Sequence, residues 1–237
     1  SAAHPGDAER RHLTVMFCDL VGSTELATTL DPEDMHALLS AFQETCGRIA
    51  SEHGGHVAKL LGDGLLIYFG YPKAHEDDGE QAVRSALEIV EAVQQIETPD
   101  QRPLQSRVGI ASGVVVIGEI LSGGGSDLAA VSGSVPHLAA RLEGAAAPNS
   151  VLIAKSTRQL IGRLFNLEQE QALDLKGFDH AIAAFRVRGS ADVGSRFAVT
   201  RTAGGNAFVG RDNELGMLRD AWAAAVEAEG QAVLVSG

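Results

Sequence analysis

His56 to Gly70 reads HVAKLLGDGLLIYFG, two apolar halves around Gly62-Asp63-Gly64. An Asp-Gly step between such runs is the strongest short-range hairpin signal, so two antiparallel strands are expected with Asp63 at the tip of their turn. A hairpin here removes all-parallel, doubly wound architectures from consideration. Upstream, HLTVMFC (12–18) is an apolar, β-branched core strand that stops at the acidic Asp19. LVGSTELATTL follows, with Gly22 free to make a tight turn and Ser23 or Thr24 placed to cap a short helix. Asp31 then stands as N-cap and Pro32 as the first residue of a helix reaching His53. Met35, Leu38, Leu39, Phe42, Cys46 and Ile49 recur at helical spacing, and Gly54-Gly55 ends it.

Residues 76–97 form a second amphipathic helix through Val83, Leu87, Val90 and Val93, opened by Glu76, Asp77 and Asp78. RVGIASGVVVIGEI (107–120) reads as two strands with Gly113 as the turn between them, followed by a glycine-rich SGGGS loop at 122–126. Helical text spans 134–143, after which VLIA, TRQLIGRLF and AFRVRG read as strand, helix and closing strand, ending a domain near residue 189. The order βαββαββαβαβ with hairpins is α+β: a mixed or antiparallel sheet with helices laid against it. Residues 190–207 have linker composition, and Phe208 opens a new unit of loop, helix and the strand QAVLVSG. That strand ends on glycine, as the start of a phosphate loop would, and the unit resembles the opening of a P-loop ATPase domain continuing past Gly237. Residues 1–10 read as a flexible polar leader without the apolar run of a secretory signal.

Composition narrows the function. At about 150 residues per domain, 237 residues make one to two domains with a sizeable core. Apolar residues are 45% and charged residues 21%, ordinary globular values. With 19 basic against 31 acidic residues the formal charge is −12, which repels a phosphate backbone; with no basic stripe, nucleic acid is not an expected partner. No window reaches the ~18 apolar residues of a membrane span, so no membrane contact and a cytoplasmic location are expected. Cys18 and Cys46 lack metal or redox spacing and are expected as small core residues. His53-Gly-Gly-His56 holds two imidazoles around a helix-ending glycine pair and reads as a loop, not a zinc pair.

Two carboxylates, Asp19 at a strand end and Asp63 at a hairpin tip, lie between strand text and glycine. They are either a capping residue and a turn residue, or two members of one cation site, and spacing leaves both readings open. FCDLVGSTELA (17–27), HVAKLLGDGLLIYFG (56–70), RVGIASGVVVIGEI (107–120) and GSVPHLAARLEG (133–144), taken together and in this order, closely resemble the class III adenylyl and guanylyl cyclase catalytic domain over about residues 11–189.

The resemblance implies a ferredoxin-like βαββαβ core and a domain converting ATP to cyclic AMP and pyrophosphate. It implies that Asp19 and Asp63, with Leu20, hold a pair of Mg²⁺ or Mn²⁺ ions, hard cations that take oxygen ligands. It makes the Leu20–Thr24 turn, with Gly22, Ser23 and Thr24, the phosphate-facing loop. Lys59 becomes the base-reading lysine, Arg141 the arginine that stabilises the transition state, and Arg107 and Lys176 the cations that steady the pyrophosphate. The family places its sites between two domains in head-to-tail contact, one supplying the aspartates and the other Lys59, His137, Arg141 and Lys176. A chain carrying both sets is expected as a homodimer with two sites.

Two positions depart from the family pattern. His137 stands where an asparagine usually orients the ribose, and Ala130 where many relatives carry an acceptor for the adenine amino group, which leaves base discrimination to Lys59 or backbone. Three readings follow: a working cyclase, a nucleotide-sensing dimerisation module that regulates an attached ATPase, and a two-metal hydrolase that would release phosphate.

Overall fold

β1 (Glu9–Leu20) is buried on both faces, with Leu13 and Val15 in one apolar cluster and Met16, Cys18 and Leu20 in the other. A strand covered on both sides needs a continuous apolar run, which HLTVMFC supplies. The computed structural model describes residues 9–118, 130–169, 172–173, 181–191 and 212–226. β1 begins at Glu9, within the stretch expected to be leader.

After β1 come α1 (Ser23–Thr29), α2 (Pro32–Glu52), the hairpin β2 (His56–Leu61) and β3 (Gly64–Phe69), α3 (Asp78–Val93) and β4 (Ser106–Gly118). Next are β5 (Ala130–Ser132), α4 (Ser134–Ala145), β6 (Ser150–Ala154), α5 (Lys155–Ile161), β7 (Phe165–Gln169) and β8 (Ala184–Ser190). The sheet order is β2-β3-β1-β4-β6-β8-β7, with β5 paired to β4. β1 lies antiparallel to both β3 and β4, and β4 runs parallel to β6, so the sheet is mixed. The β2-β3-β1-β4 half is the split βαββαβ arrangement, each helix carrying the chain over one intervening strand. α2, α3 and α5 cover the face bearing Met16 and Cys18, and α4 covers part of the face bearing Leu13 and Val15.

Several local expectations hold. Asp31 caps α2 by accepting from the Glu33 N–H, and Pro32 opens the helix. Cys18 and Cys46 are buried and free, their sulfurs 3.9 Å apart. The contact between the sulfurs, then burial, pushes the Cys18 thiol well above its ordinary range.

Three expectations need correction. Gly113 is no turn: it sits inside the single strand β4, opposite Leu13 of β1. A Cβ there would meet Val135 Cγ2 at 2.9 Å, so the glycine makes room for α4 rather than reversing the chain. TRQLIGRLF (157–165), read as helix, is helical only to Ile161, and FNLEQ (165–169), for which no strand was expected, is β7, because the helix stops at Gly162 with φ +58 and Phe165 turns into the core. α3 is shorter than 76–97 at both ends.

The chain divides into the unit Ser1–Val193 and the unit Gly194–Gly237. In the second, α6 (Asp212–Val226) exposes Met217 and Trp222. The first eight residues, the SGGGS loop, Lys176, residues 192–207 of the linker and QAVLVSG lie outside the described residues. No helix among the described residues is long and apolar enough to cross a membrane.

Candidate active site

Sheet register assembles the site. Asp19 is the last acidic residue before β1 ends and pairs across the sheet with Gly64 of β3 on one side and Arg107 of β4 on the other. Side chains alternate along a strand, so Asp19 shares its face with Leu13, Val15 and α4, while Cys18 points to the opposite face. Asp63 stands in the two-residue turn between β2 and β3, and the Leu20 N–H donates to its carbonyl at 3.2 Å, holding the hairpin tip against the end of β1. Gly64 is what permits this approach: a Cβ there would lie 3.1 Å from Asp19 Oδ1 and 3.0 Å from the Cys18 carbonyl.

The electrostatics follow from two carboxylates sharing a half-buried corner. Burial first, and then the negative charge of Asp63, raise Asp19 above the ordinary carboxylate range, and a hydrogen bond from Arg107 partly offsets both. Arg107 Nη2 donates to Asp19 Oδ2 at 3.0 Å. Next to Nη2 on the guanidinium, Arg107 Nε lies 3.4 Å from Glu143 Oε1, an ion pair. Burial, and then the charge of Asp19, push Glu143 up to about 7. The Ser23 hydroxyl donates to Asp63 Oδ2. It therefore does not cap α1, whose N-cap is Gly22 in a left-handed conformation with φ +73 and no side-chain cap.

The donor chemistry fits a divalent cation: hard carboxylate oxygens, with more negative charge than one arginine balances, at the end of a strand beside a turn. No group of three or more His, Cys, Asp or Glu placed to hold a metal occurs among the described residues. The available set is Asp19, Asp63 and backbone oxygen such as that of Leu20.

The remaining candidates sit elsewhere. In the Leu20–Thr24 turn the N–H groups of Leu20 and Val21 are spent on Asp63 O and Gln105 O, so an anion could meet only those of Gly22 to Thr24. Lys59 is exposed on β2, in register with Leu66, which in turn faces Phe17, so it lies on Asp19's face but two strands away. His137 and Arg141 are exposed, one turn apart on α4. Ala130 opens β5 opposite Gly118. Lys176 lies outside the described residues. The two imidazoles of HGGH part company. His53 contacts Gln81 and Glu88, while His56 packs against Tyr71 at 5.2 Å between ring centroids.

Glu143 is the site residue that the motifs did not single out. Its signal was present, because two helical positions turn about 200°, so if Arg141 faces outward Glu143 faces the sheet.

Residues 7–189 match the family described as the adenylate and guanylate cyclase catalytic domain. An uncharacterized protein of Rhizobium meliloti is 35% identical over 230 residues, 97% of this chain and 22% of that protein. An adenylate cyclase of Mycobacterium bovis is 26% identical over 164 residues, 69% of this chain and 37% of that enzyme. The chain thus spans well under half the length of these curated relatives. Among solved structures, the guanylate cyclase domain of RhGC from Catenaria anguillulae in complex with GTP superimposes with TM-score 0.72 at 25% identity, covering 78% of this chain and all of that one. The adenylyl cyclase CyaB from P. aeruginosa gives TM-score 0.70 at 28% identity, covering 78% of this chain and 98% of that one. With its sheet order, its strand-end acid pair and more than half its length matched, the chain belongs to the adenylate and guanylate cyclase catalytic domain family.

Proposed function

We propose that this domain is an adenylate cyclase, converting ATP to 3′,5′-cyclic AMP and pyrophosphate at sites formed between two copies of the chain. The observation that supports it best is the convergence of Asp19, Asp63 and Arg107 at one sheet end, with Lys59 and Arg141 left exposed. Asp19 and Asp63, with the Leu20 backbone, would hold two Mg²⁺ or Mn²⁺ ions. When bound, such ions neutralise triphosphate charge and make a hydroxyl easier to deprotonate. In the reaction the ribose 3′-oxygen loses its proton and bonds to the α-phosphorus, and the bond to the bridging oxygen breaks to release pyrophosphate.

This chain's residues have separate tasks. Arg107 would pass from Asp19 to the departing phosphates, and Lys176 would act at the same end. Gly22, Ser23 and Thr24 offer backbone N–H groups to the triphosphate. From the second copy, Arg141 would meet charge developing at the α-phosphorus, His137 the ribose and Lys59 the base. Beside Ala130, whose methyl accepts no hydrogen bond, Lys59 is the side chain left to favour adenine over guanine. The mycobacterial and P. aeruginosa relatives carry the name adenylate or adenylyl cyclase, which favours ATP. The Catenaria domain in complex with GTP keeps guanine in the test.

The test incubates purified protein with Mn²⁺ and either ATP or GTP and follows cyclic nucleotide and pyrophosphate, with Asp63→Ala as control. Cyclic AMP above the control supports the proposal, and no cyclic product from either nucleotide overturns it. Mixing Asp63→Ala with Arg141→Ala should restore part of the turnover if sites are shared between copies. A second reading, a nucleotide-sensing dimerisation module, draws on His137 at the ribose position. Binding of ATP without turnover, with activity gained in His137→Asn, would select it.

A further inference from the structure

We propose that Glu143 is a positioning residue that acts through Arg107: it holds Nε, so that Asp19 takes Nη2 alone instead of being clamped by the Nε/Nη2 pair of donors, and Asp19 stays open to a divalent cation. The proposal rests on the reading of Asp19 and Asp63 as the cation-holding pair.

Geometry is the first support. One guanidinium bridges two carboxylates, with Nη2 to Asp19 Oδ2 at 3.0 Å and Nε to Glu143 Oε1 at 3.4 Å. Arginine presents its donors in a rigid planar fork, so anchoring Nε sets the direction of the neighbouring Nη2 and divides the fork between two carboxylates. Burial is the second. Arg107 Nε and Glu143 Oε1 are both buried without a hydrogen-bond partner, so each depends on the charge of the other. Removing either would leave an uncompensated group.

The third support lies in how α4 is seated. Arg107 and Gly109 lie on one face of β4, and a Cβ on Gly109 would fall 2.2 Å from Glu143 N and 2.3 Å from Ala139 O. Backbone thus rests on backbone beside Arg107, and the height of Glu143 over the guanidinium is fixed by that contact. Glu143 also stands outside any ligand set, since no cluster of three metal-binding side chains occurs among the described residues.

If Glu143 loses its charge, the whole cation becomes available to Asp19, and a divalent ion must compete harder for that carboxylate. A purely structural glutamate would change stability and leave metal uptake alone.

The experiment compares wild type, Glu143→Gln, Glu143→Asp, Arg107→Gln and the Glu143→Gln/Arg107→Gln double variant at pH 8. Two readouts are used: the Nε–H nuclear magnetic resonance signal of Arg107, assigned by its loss in Arg107→Gln, and calorimetric uptake of Mn²⁺ with a non-hydrolysable ATP analogue. Glu143→Gln should shift the Nε–H signal and speed its exchange with solvent. It should also raise the Mn²⁺ concentration for half-saturation by about tenfold, the lower end for residues that orient metal ligands. Glu143→Asp should recover part of both effects, and in the Arg107→Gln background the Glu143 change should add less than about twofold. An unchanged Nε–H signal, unchanged Mn²⁺ uptake in Glu143→Gln, or an equal effect without Arg107 overturns the proposal while the cation site stands. Wild-type protein that takes up no manganese nucleotide overturns the cation site itself and the proposal with it.

Discussion

Arg107 Nη2 reaches Asp19 Oδ2 at 3.0 Å from the position directly opposite on the neighbouring strand. The arginine is thus the counter-ion that lets two acids, Asp19 and Asp63, share one corner of the sheet in the absence of metal. Arg107→Ala should lower unfolding free energy by about 1–2 kcal/mol, less than for a fully buried pair because both side chains keep some solvent contact. Added Mn²⁺ should raise the thermal midpoint of this variant more than that of wild type. A midpoint indifferent to Mn²⁺ in both proteins would count against Asp19 as a cation ligand.

Asp63 sits in a turn, where an alanine costs little fold. Asp63→Ala should leave the circular dichroism spectrum unchanged and cut cyclic nucleotide formation by about 10²-fold or more, the scale of losing several kcal/mol of metal-borne charge stabilisation.

Two glycines near the same helix should respond with opposite sign. Gly109→Ala sets a methyl against the backbone of α4, 2.2 Å from Glu143 N, and neither chain can yield. A loss of about 3 kcal/mol is expected, at the upper end for overpacking. Gly144, inside α4, meets nothing within 4 Å. Gly144→Ala should stabilise by about 0.5–1 kcal/mol. Denaturant titration of both variants checks the pair.

His53 links α2 to α3, with Nδ1 3.0 Å from Gln81 Oε1 and Nε2 2.9 Å from Glu88 Oε2. Burial alone would lower its imidazole, but the bonds with Glu88 and Gln81 and the charges of Glu88 and Glu52 outweigh it and raise it. A group raised on folding binds its proton more tightly in the folded state. Its contribution is therefore complete below the unfolded value near 6.5 and is lost as pH rises through the folded value. The stability difference between wild type and His53→Gln should shrink as pH is taken from about 6 to 8, read by denaturant titration at each pH. A constant difference would remove the charged strut.

The order of elements was legible because it is written in local chemistry: Asp31-Pro32 starts α2, Asp63-Gly64 turns the hairpin, and HLTVMFC can only be a strand buried on both sides. Asp19 and Asp63 stood out as carboxylates that interrupt apolar strand text, but spacing left them open as a capping and a turn residue, and only the resemblance of the surrounding motifs joined them in one expected site. β7 was hidden because an edge strand buries little, and its FNLEQ carries no alternation strong enough to separate it from the helix before it. Gly113 misled because a glycine inside strand text means either a turn or a close neighbour, and only the packed position of Val135 tells which. The sequence by itself determined β1, α2 and the β2–β3 hairpin, because those choices are set by residues a few positions apart. Only the tertiary structure decided that Arg107 divides its charge between Asp19 and Glu143. Register across the sheet and the seating of α4 on Gly109 are contacts between distant segments, and no local pattern encodes their distances.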